Sequence, residues 1–217
     1  MSVDLNIGTG QCQGTTRLLI KPVEAVIELG ASVDVMTKAL GAVHHANRHA
    51  AIDDFIAVAL PGMRKGRNCM LPGHEIELIG SEVSLMNLLA LDGISSLKKR
   101  GMLTETEIFE CYSDAGETGA AYVRDNTCAK HTAGWVRRSI ERAERRGKPV
   151  GQPVKVRDND LSALKLQIGS GIIHVREVLG VIGEGPIMVS TYGFSSPNSL
   201  AILPVMPDSA GVVINAT

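Results

Sequence analysis

Three histidines, His44, His45 and His49, fall within six residues of one another. Imidazole is the side chain whose ordinary pKa, about 6.5, lies closest to neutrality. Each of the three could therefore give or take a proton, for example by drawing the proton from a ribose 2′-hydroxyl so that the oxygen attacks the neighbouring phosphorus. His45 and His49 stand one helical turn apart, a spacing that can hold a metal. The HExxH pattern is absent, however, and no downstream cysteine or carboxylate cluster completes a ligand set, so no metal or other cofactor is expected. The plainer reading of a histidine near a helix end is a satisfied polar residue or a cap. Spacing does not choose among the three.

Two other short motifs carry groups of interest. Tyr192 lies in STYGFSS, Ser190–Ser196, a strand end running into a Gly/Ser loop. Taken alone, its ring is a core or interface aromatic. Ser170 lies in Gly169-Ser170-Gly171, which taken alone is a tight hairpin turn.

Cations are concentrated in one segment. Lys130, Arg137, Arg138, Arg142, Arg145, Arg146 and Lys148 are opposed there only by Glu141 and Glu144. On a helix, Arg138, Arg142 and Arg145 or Arg146 share one face. A row of guanidinium forks suits phosphate oxygens and could follow the groove of an RNA stem. The competing reading is a solvated helix laced by pairs of Glu141 with Arg138 and Arg145, and of Glu144 with Arg137 or Arg138. Trp135 either packs this helix to the body or stacks on a base.

The elements that must position these groups follow from periodicity. Thr16–Val23 reads as a strand, Val33–Arg48 as a helix, and Asp54–Leu60 as a buried strand. His74–Gly80 alternates with period two, Ser81 opens a helix running to Leu91, and Thr104–Tyr112 alternates again. That order predicts an α+β chain with a ferredoxin-like βαββαβ domain over 16–121, after an N-terminal extension 1–15. Asp114–Gly119 reads as a loop and domain boundary. The smaller part, 122–217, holds the basic helix Ala133–Arg146, stopped by Gly147 and Pro149, and short strands at Ala163–Ile168, Ile172–Leu179 and Ile187–Thr191. Gly151–Asp160 reads as irregular.

The composition is that of a globular chain of 217 residues with no apolar run of membrane-spanning length. The N-terminus has neither a basic nor an apolar signal region, so the cytoplasm is the expected location. The four cysteines are far apart and form no CxxC pair, which argues against a zinc ribbon or disulfide scaffold. The net charge of −1 counts against nucleic-acid binding, but the distribution of charge outweighs its sum.

These pieces occur in a familiar order. MTKALGAVH (Met36–His44), IAVALP (Ile56–Pro61), WVRRSIERAERR (Trp135–Arg146), HVREVL (His174–Leu179) and STYGFSS together resemble the CRISPR repeat endoribonuclease of type I-F systems, including the versions carried by CRISPR-linked transposons. The resemblance runs over most of Thr16–Pro207. It implies a metal-independent endoribonuclease that binds the hairpin of a CRISPR repeat and cuts precursor guide RNA at the 3′ base of the stem. It implies that His44 is the base or acid at the 2′-hydroxyl, that Tyr192 positions His44 or the scissile nucleotide, and that Ser170 holds the ribose or phosphate. Arg137, Arg138, Arg142, Arg145 and Arg146 would line the groove phosphates. It also implies partners, namely the repeat hairpin and the other subunits of a guide-RNA complex, with the backbone subunit next to the 3′ handle.

The chain departs from the family at two places. Ile168 stands where the family has the first of two serines. The base-reading pair before the basic helix has only Arg124 and Asn126 as nearest counterparts. The run Arg64–Arg67 (RKGR) is either a further phosphate contact or an exposed loop. Two other readings stand beside the nuclease: a subunit that holds an RNA handle without cutting, and an unrelated enzyme of the same fold acting on a small molecule.

Overall fold

The computed structural model describes residues 8–14, 16–67, 69–104, 106–111, 115–130, 132–149, 162–169 and 171–204. Within them the chain is a mixed α+β protein. In order, the elements are β1 (Thr9–Cys12), β2 (Thr16–Ile20), α1 (Glu24–Glu28), α2 (Ser32–His49), β3 (Ala57–Ala59), β4 (Arg64–Lys65), β5 (Met70–Leu71) and β6 (Ile76–Gly80). There follow α3 (Glu82–Ala90), α4 (Asp92–Lys99), β7 (Ile108–Glu110), β8 (Thr118–Arg124), α5 (Ala133–Arg145), β9 (Leu164–Ile168), β10 (Gly171–Val181), β11 (Ile187–Ser190) and β12 (Leu203–Pro204).

Two four-stranded sheets carry the fold, ordered β3-β6-β2-β7 and β12-β8-β10-β9, and every pairing in them is antiparallel. The helix α2 forms because Val35, Met36, Ala39, Leu40 and Val43 recur at helical spacing and all lie in the core. That core is continuous across both sheets, from Leu18, Ile20 and Leu78 to Tyr122, Leu164 and Val175. Ser81 caps α3, its hydroxyl accepting the Ser84 N–H at 3.1 Å.

Charge is buried where the sheets meet. Arg17 of β2 faces Glu77 of β6 at 3.6 Å and donates to the Pro204 carbonyl at 3.0 Å, tying β12 to the first sheet. Burial pushes the Glu77 carboxyl up, and Arg17 pulls it back down. An isolated buried charge is costly, so each of these two depends on the other being present.

Several elements differ from the sequence expectation. The stretch read as a boundary loop ends in strand β8, which runs from Thr118 to Arg124 and crosses the expected division at residue 121. The small residues of GAA have little strand preference, and β8 is a strand because seven residues pair with β10 and two with β12. Part of the expected N-terminal extension is β1, which pairs with β11 from Thr9↔Ser190 to Cys12↔Ile187. The run RKGR belongs to a hairpin, with Arg64 and Lys65 exposed in β4 against β5. Helices α1 and α4 are short and were not evident from pattern. The expectation for Gly151–Asp160 lies outside the described residues.

Candidate active site

His44 sits on the last turns of α2, one turn from Asn47. Asn47 is fully buried and clamps the peptide of Ile56 from both sides: its Nδ2 donates to the Ile56 carbonyl at 2.9 Å and its Oδ1 accepts the Ile56 N–H at 2.8 Å. An amide side chain is suited to this because it offers a donor and an acceptor side by side. The clamp fixes the end of α2, and with it His44, against the strand edge at β3.

Tyr192 comes from the other end of the chain on an equally constrained loop. The Gly193 N–H donates to the Ser190 carbonyl at 2.8 Å, and the Ser190 N–H and hydroxyl both donate to the Phe194 carbonyl, at 2.8 and 2.9 Å. The turn is then sewn to both sheets. Val58 of β3 donates to the Gly193 carbonyl at 2.8 Å, Arg124 of β8 donates to the Ser195 carbonyl at 2.9 Å, and Ser195 donates to the Tyr122 carbonyl at 2.9 Å. Phe194 is fully buried and anchors the loop. Gly193 has a φ of +79°, and a Cβ there would lie 2.5 Å from Val58 Cγ2, so only glycine fits.

The result is a parallel stack. The rings of His44 and Tyr192 lie 4.0 Å apart between centroids with 4° between their planes. The Arg124 Cζ lies 4.9 Å from the centroid of Tyr192. Nδ1 of His44 is buried and has no hydrogen-bond partner. Burial lowers the His44 pKa from its ordinary value, the guanidiniums of Arg48 and Arg124 and the neighbouring His45 add to the fall, and the Thr191 peptide opposes it. Half-buried and biased toward the neutral form, this imidazole is suited to accept a proton at neutral pH.

Of the three histidines, the fold therefore singles out His44. His45 and His49 lie elsewhere on α2, with ring centroids 4.5 Å apart, and line a cavity with Asp54, Ser84 and Asn87. Both oxygens of Asp54 are already taken by the hydroxyls of Ser81 and Ser84, at 2.7 and 2.6 Å. Among the described residues no three metal-ligating side chains converge.

Ser170 lies outside the described residues. Its flanks form the expected hairpin, with Ile168 opposite Gly171 and Gly169 at φ +56°. Strand β9, which leads into that turn, packs against α2.

The segment after Arg124 leads directly to the basic helix. Asp125 accepts from the Thr127 N–H at 2.8 Å and pairs with Arg176 at 3.5 Å, and Asn126 and Lys130 are exposed. Thr132 caps α5 by accepting the Trp135 N–H at 3.3 Å. Helix α5 has no buried residue, and Arg137, Arg138, Arg142, Arg145 and the following Arg146 are all exposed. Trp135, Arg138, Glu141, Arg142 and Arg145 line one shallow groove along it. Of the expected Glu–Arg pairs, those of Glu141 with Arg138 and Arg145 are not formed; Glu141 instead meets Arg137 at 3.9 Å, and no other ion pair forms on the helix among the described residues. Arg124 is the functional candidate whose placement the sequence conveyed least, because its approach to Tyr192 depends on the long-range pairing of β8. Comparison with known proteins finds no family model and no curated protein that matches this chain.

Proposed function

We propose that this protein binds an RNA hairpin and cuts the strand beside it, as the CRISPR repeat endoribonucleases of type I-F systems do. The observation that carries the reading is the parallel stack of His44 on Tyr192. These residues lie at opposite ends of the chain and are the two that the resemblance pairs in one site. The strand order β3-β6-β2-β7, with α2 between the first two strands in sequence and α3 and α4 between the last two, supports the ferredoxin-like reading of that part.

In this reading neutral His44 takes the proton of the 2′-hydroxyl. The oxygen attacks phosphorus, the P–O5′ bond breaks, and a proton returns to O5′. The products are a 2′,3′-cyclic phosphate and a 5′-hydroxyl, with no metal in the step. Nδ1 is buried, so proton traffic runs through Nε2. The exposed guanidiniums of α5 meet the phosphates of the stem, and the product stays bound for assembly with the other subunits of a guide-RNA complex, beside its backbone subunit. Asn126 and Lys130 extend the same RNA face.

A second reading, a handle-binding subunit that does not cut, is favoured by Ile168 in place of a serine. Cleavage of a labelled repeat hairpin in EDTA separates the two. Wild type is expected to cut at the base of the stem, and His44→Ala to bind normally but cut about 10²–10⁴-fold more slowly. Binding by both without cutting selects the second reading, and binding by neither removes both. For wild type, the rate should fall only as the pH drops below the ordinary histidine value of 6.5, because the His44 pKa is lowered. The same shift makes the folded state lose stability as pH falls through that range, since the unfolded chain takes up the proton first.

A further inference from the structure

The resemblance offers Arg124 only as a nearest counterpart of a base-reading residue. Its surroundings give it a different task. One face of the Tyr192 ring is occupied by the His44 imidazole at 4.0 Å, so the guanidinium at 4.9 Å covers the other, and the three groups form one column. Among the described residues no hydrogen bond from the side chain accounts for its place there, and its Nε is buried without a partner. Nor does an ion pair: among the described residues no carboxylate pairs with Arg124, while the neighbouring Asp125 is spent on Arg176 and the Thr127 N–H. What remains is the attraction of a cation for an aromatic face.

We infer that Arg124 is a positioning residue whose guanidinium holds the Tyr192 ring, and through it the His44 imidazole, in one orientation for proton transfer. The inference rests on the nuclease reading above. Its backbone suits the task, since the Arg124 N–H is bonded to Ser195 and Val123 is bridged to Ser195, so side chain and loop move as one unit. A ring that is free on one side can swing away from its partner, and a ring held on both sides cannot. A displacement of about 1 Å at a reacting group costs up to about 10²-fold in rate.

The column also sets the charge around the base. The groups that face His44 are Arg48 and His45 from its own helix, Arg124 from β8, and the Tyr192 ring and Thr191 peptide from the loop. Arg124 acts with Arg48 against the imidazolium, as the weaker of the two.

Charge and planarity can be separated, because lysine keeps the first and lacks the flat stacking surface. Arg124→Gln and Arg124→Lys are compared with wild type by single-turnover cleavage of the repeat hairpin across pH. Binding of a hairpin with a 2′-deoxy scissile nucleotide is measured alongside. Both variants are expected to cut 10–10²-fold more slowly with affinity within a few-fold of wild type. The acid limb should move up toward 6.5 in Arg124→Gln and stay near wild type in Arg124→Lys. A loss of affinity that accounts for the whole loss of rate, or an unmoved acid limb in Arg124→Gln, overturns the inference and leaves Arg124 as an RNA contact. Titration of the His44 ring protons by NMR in the free protein tests the column without RNA. If wild type cuts no hairpin, a His44 resonance that Arg124→Gln shifts and makes titrate higher still supports the column and sinks only the nuclease reading. An unchanged resonance sinks the column.

Discussion

The loop that carries Tyr192 and the helix that carries the arginines hold the two halves of the proposed activity, and they are fixed in opposite ways. The loop pins its backbone at Ser190, Gly193, Phe194 and Ser195, reaches strands of both sheets, and buries Phe194 completely. The helix buries nothing, is capped at its start by Thr132, and keeps its cations in solvent. Proton transfer needs a ring held to a fraction of an ångström. Phosphate binding needs only charge within reach, and a helix that can adjust to an RNA groove loses little by being loosely held. A net charge of −1 is compatible with the proposed function, because positive charge is gathered on the exposed helix α5.

The contrast predicts a graded set of responses. The largest is expected in the loop. Gly193→Ala forces an L residue to φ +79° and drives a methyl to within 2.5 Å of Val58 Cγ2 and 2.9 Å of the Ile56 carbonyl. A loss of about 3 kcal/mol of stability is expected, read as a lower midpoint in denaturant melts, with the His44–Tyr192 stack lost as well. A melt like that of wild type would mean that the loop is not the rigid half. Replacing Arg138, Arg142 and Arg145 together by alanine should do the reverse. Stability should move by no more than about 0.5 kcal/mol, since these are surface positions and alanine favours the helix. Affinity for the repeat hairpin should fall about tenfold or more, and the slope of log affinity against log salt should shrink by about 3. An unchanged slope would make the groove beside Trp135 a solvated face and nothing more. The smallest effect is expected from Thr132→Ala, which removes the cap of α5 at a cost of about 1 kcal/mol to that helix. Hydrogen exchange should rise in the first turn of α5 and stay the same around Tyr192.

The sequence conveyed the parts that rest on local pattern. The helix expected over Val33–Arg48 and the strand expected over His74–Gly80 rested on 3.6- and 2-residue apolar periods and are found as α2 and β6, and the basic helix expected over Ala133–Arg146 is found as α5. The candidate side chains His44 and Tyr192 were nominated by type and by motif, but nothing local chose His44 over His45. That choice is made by which face of α2 meets the loop, which depends on Asn47 gripping Ile56 and on Val58 gripping Gly193. The strand Thr118–Arg124 was missed for the same reason. Its alanines and glycine carry no strand signal, and its pairing partners lie in β10 and β12. Arg124 could therefore be read only as a residue near the basic helix, and not as the lid of an aromatic column.

The buried bond from Arg17 to the Pro204 carbonyl joins residues 187 apart in sequence, and β1 pairs with β11 over nearly as long a span. Contacts of that range form late, because the loop they close must be gathered first. During translation His44 therefore emerges and folds into its helix well before the chain that will cover it exists. Without that cover His44 is an ordinary solvated histidine. Only when the strands Ile187–Ser190 and Leu203–Pro204 have left the ribosome can these pairings form and the imidazole acquire Tyr192 as its stacking partner, so on the proposed function a nascent chain would carry the arginine helix before the His44 site is complete.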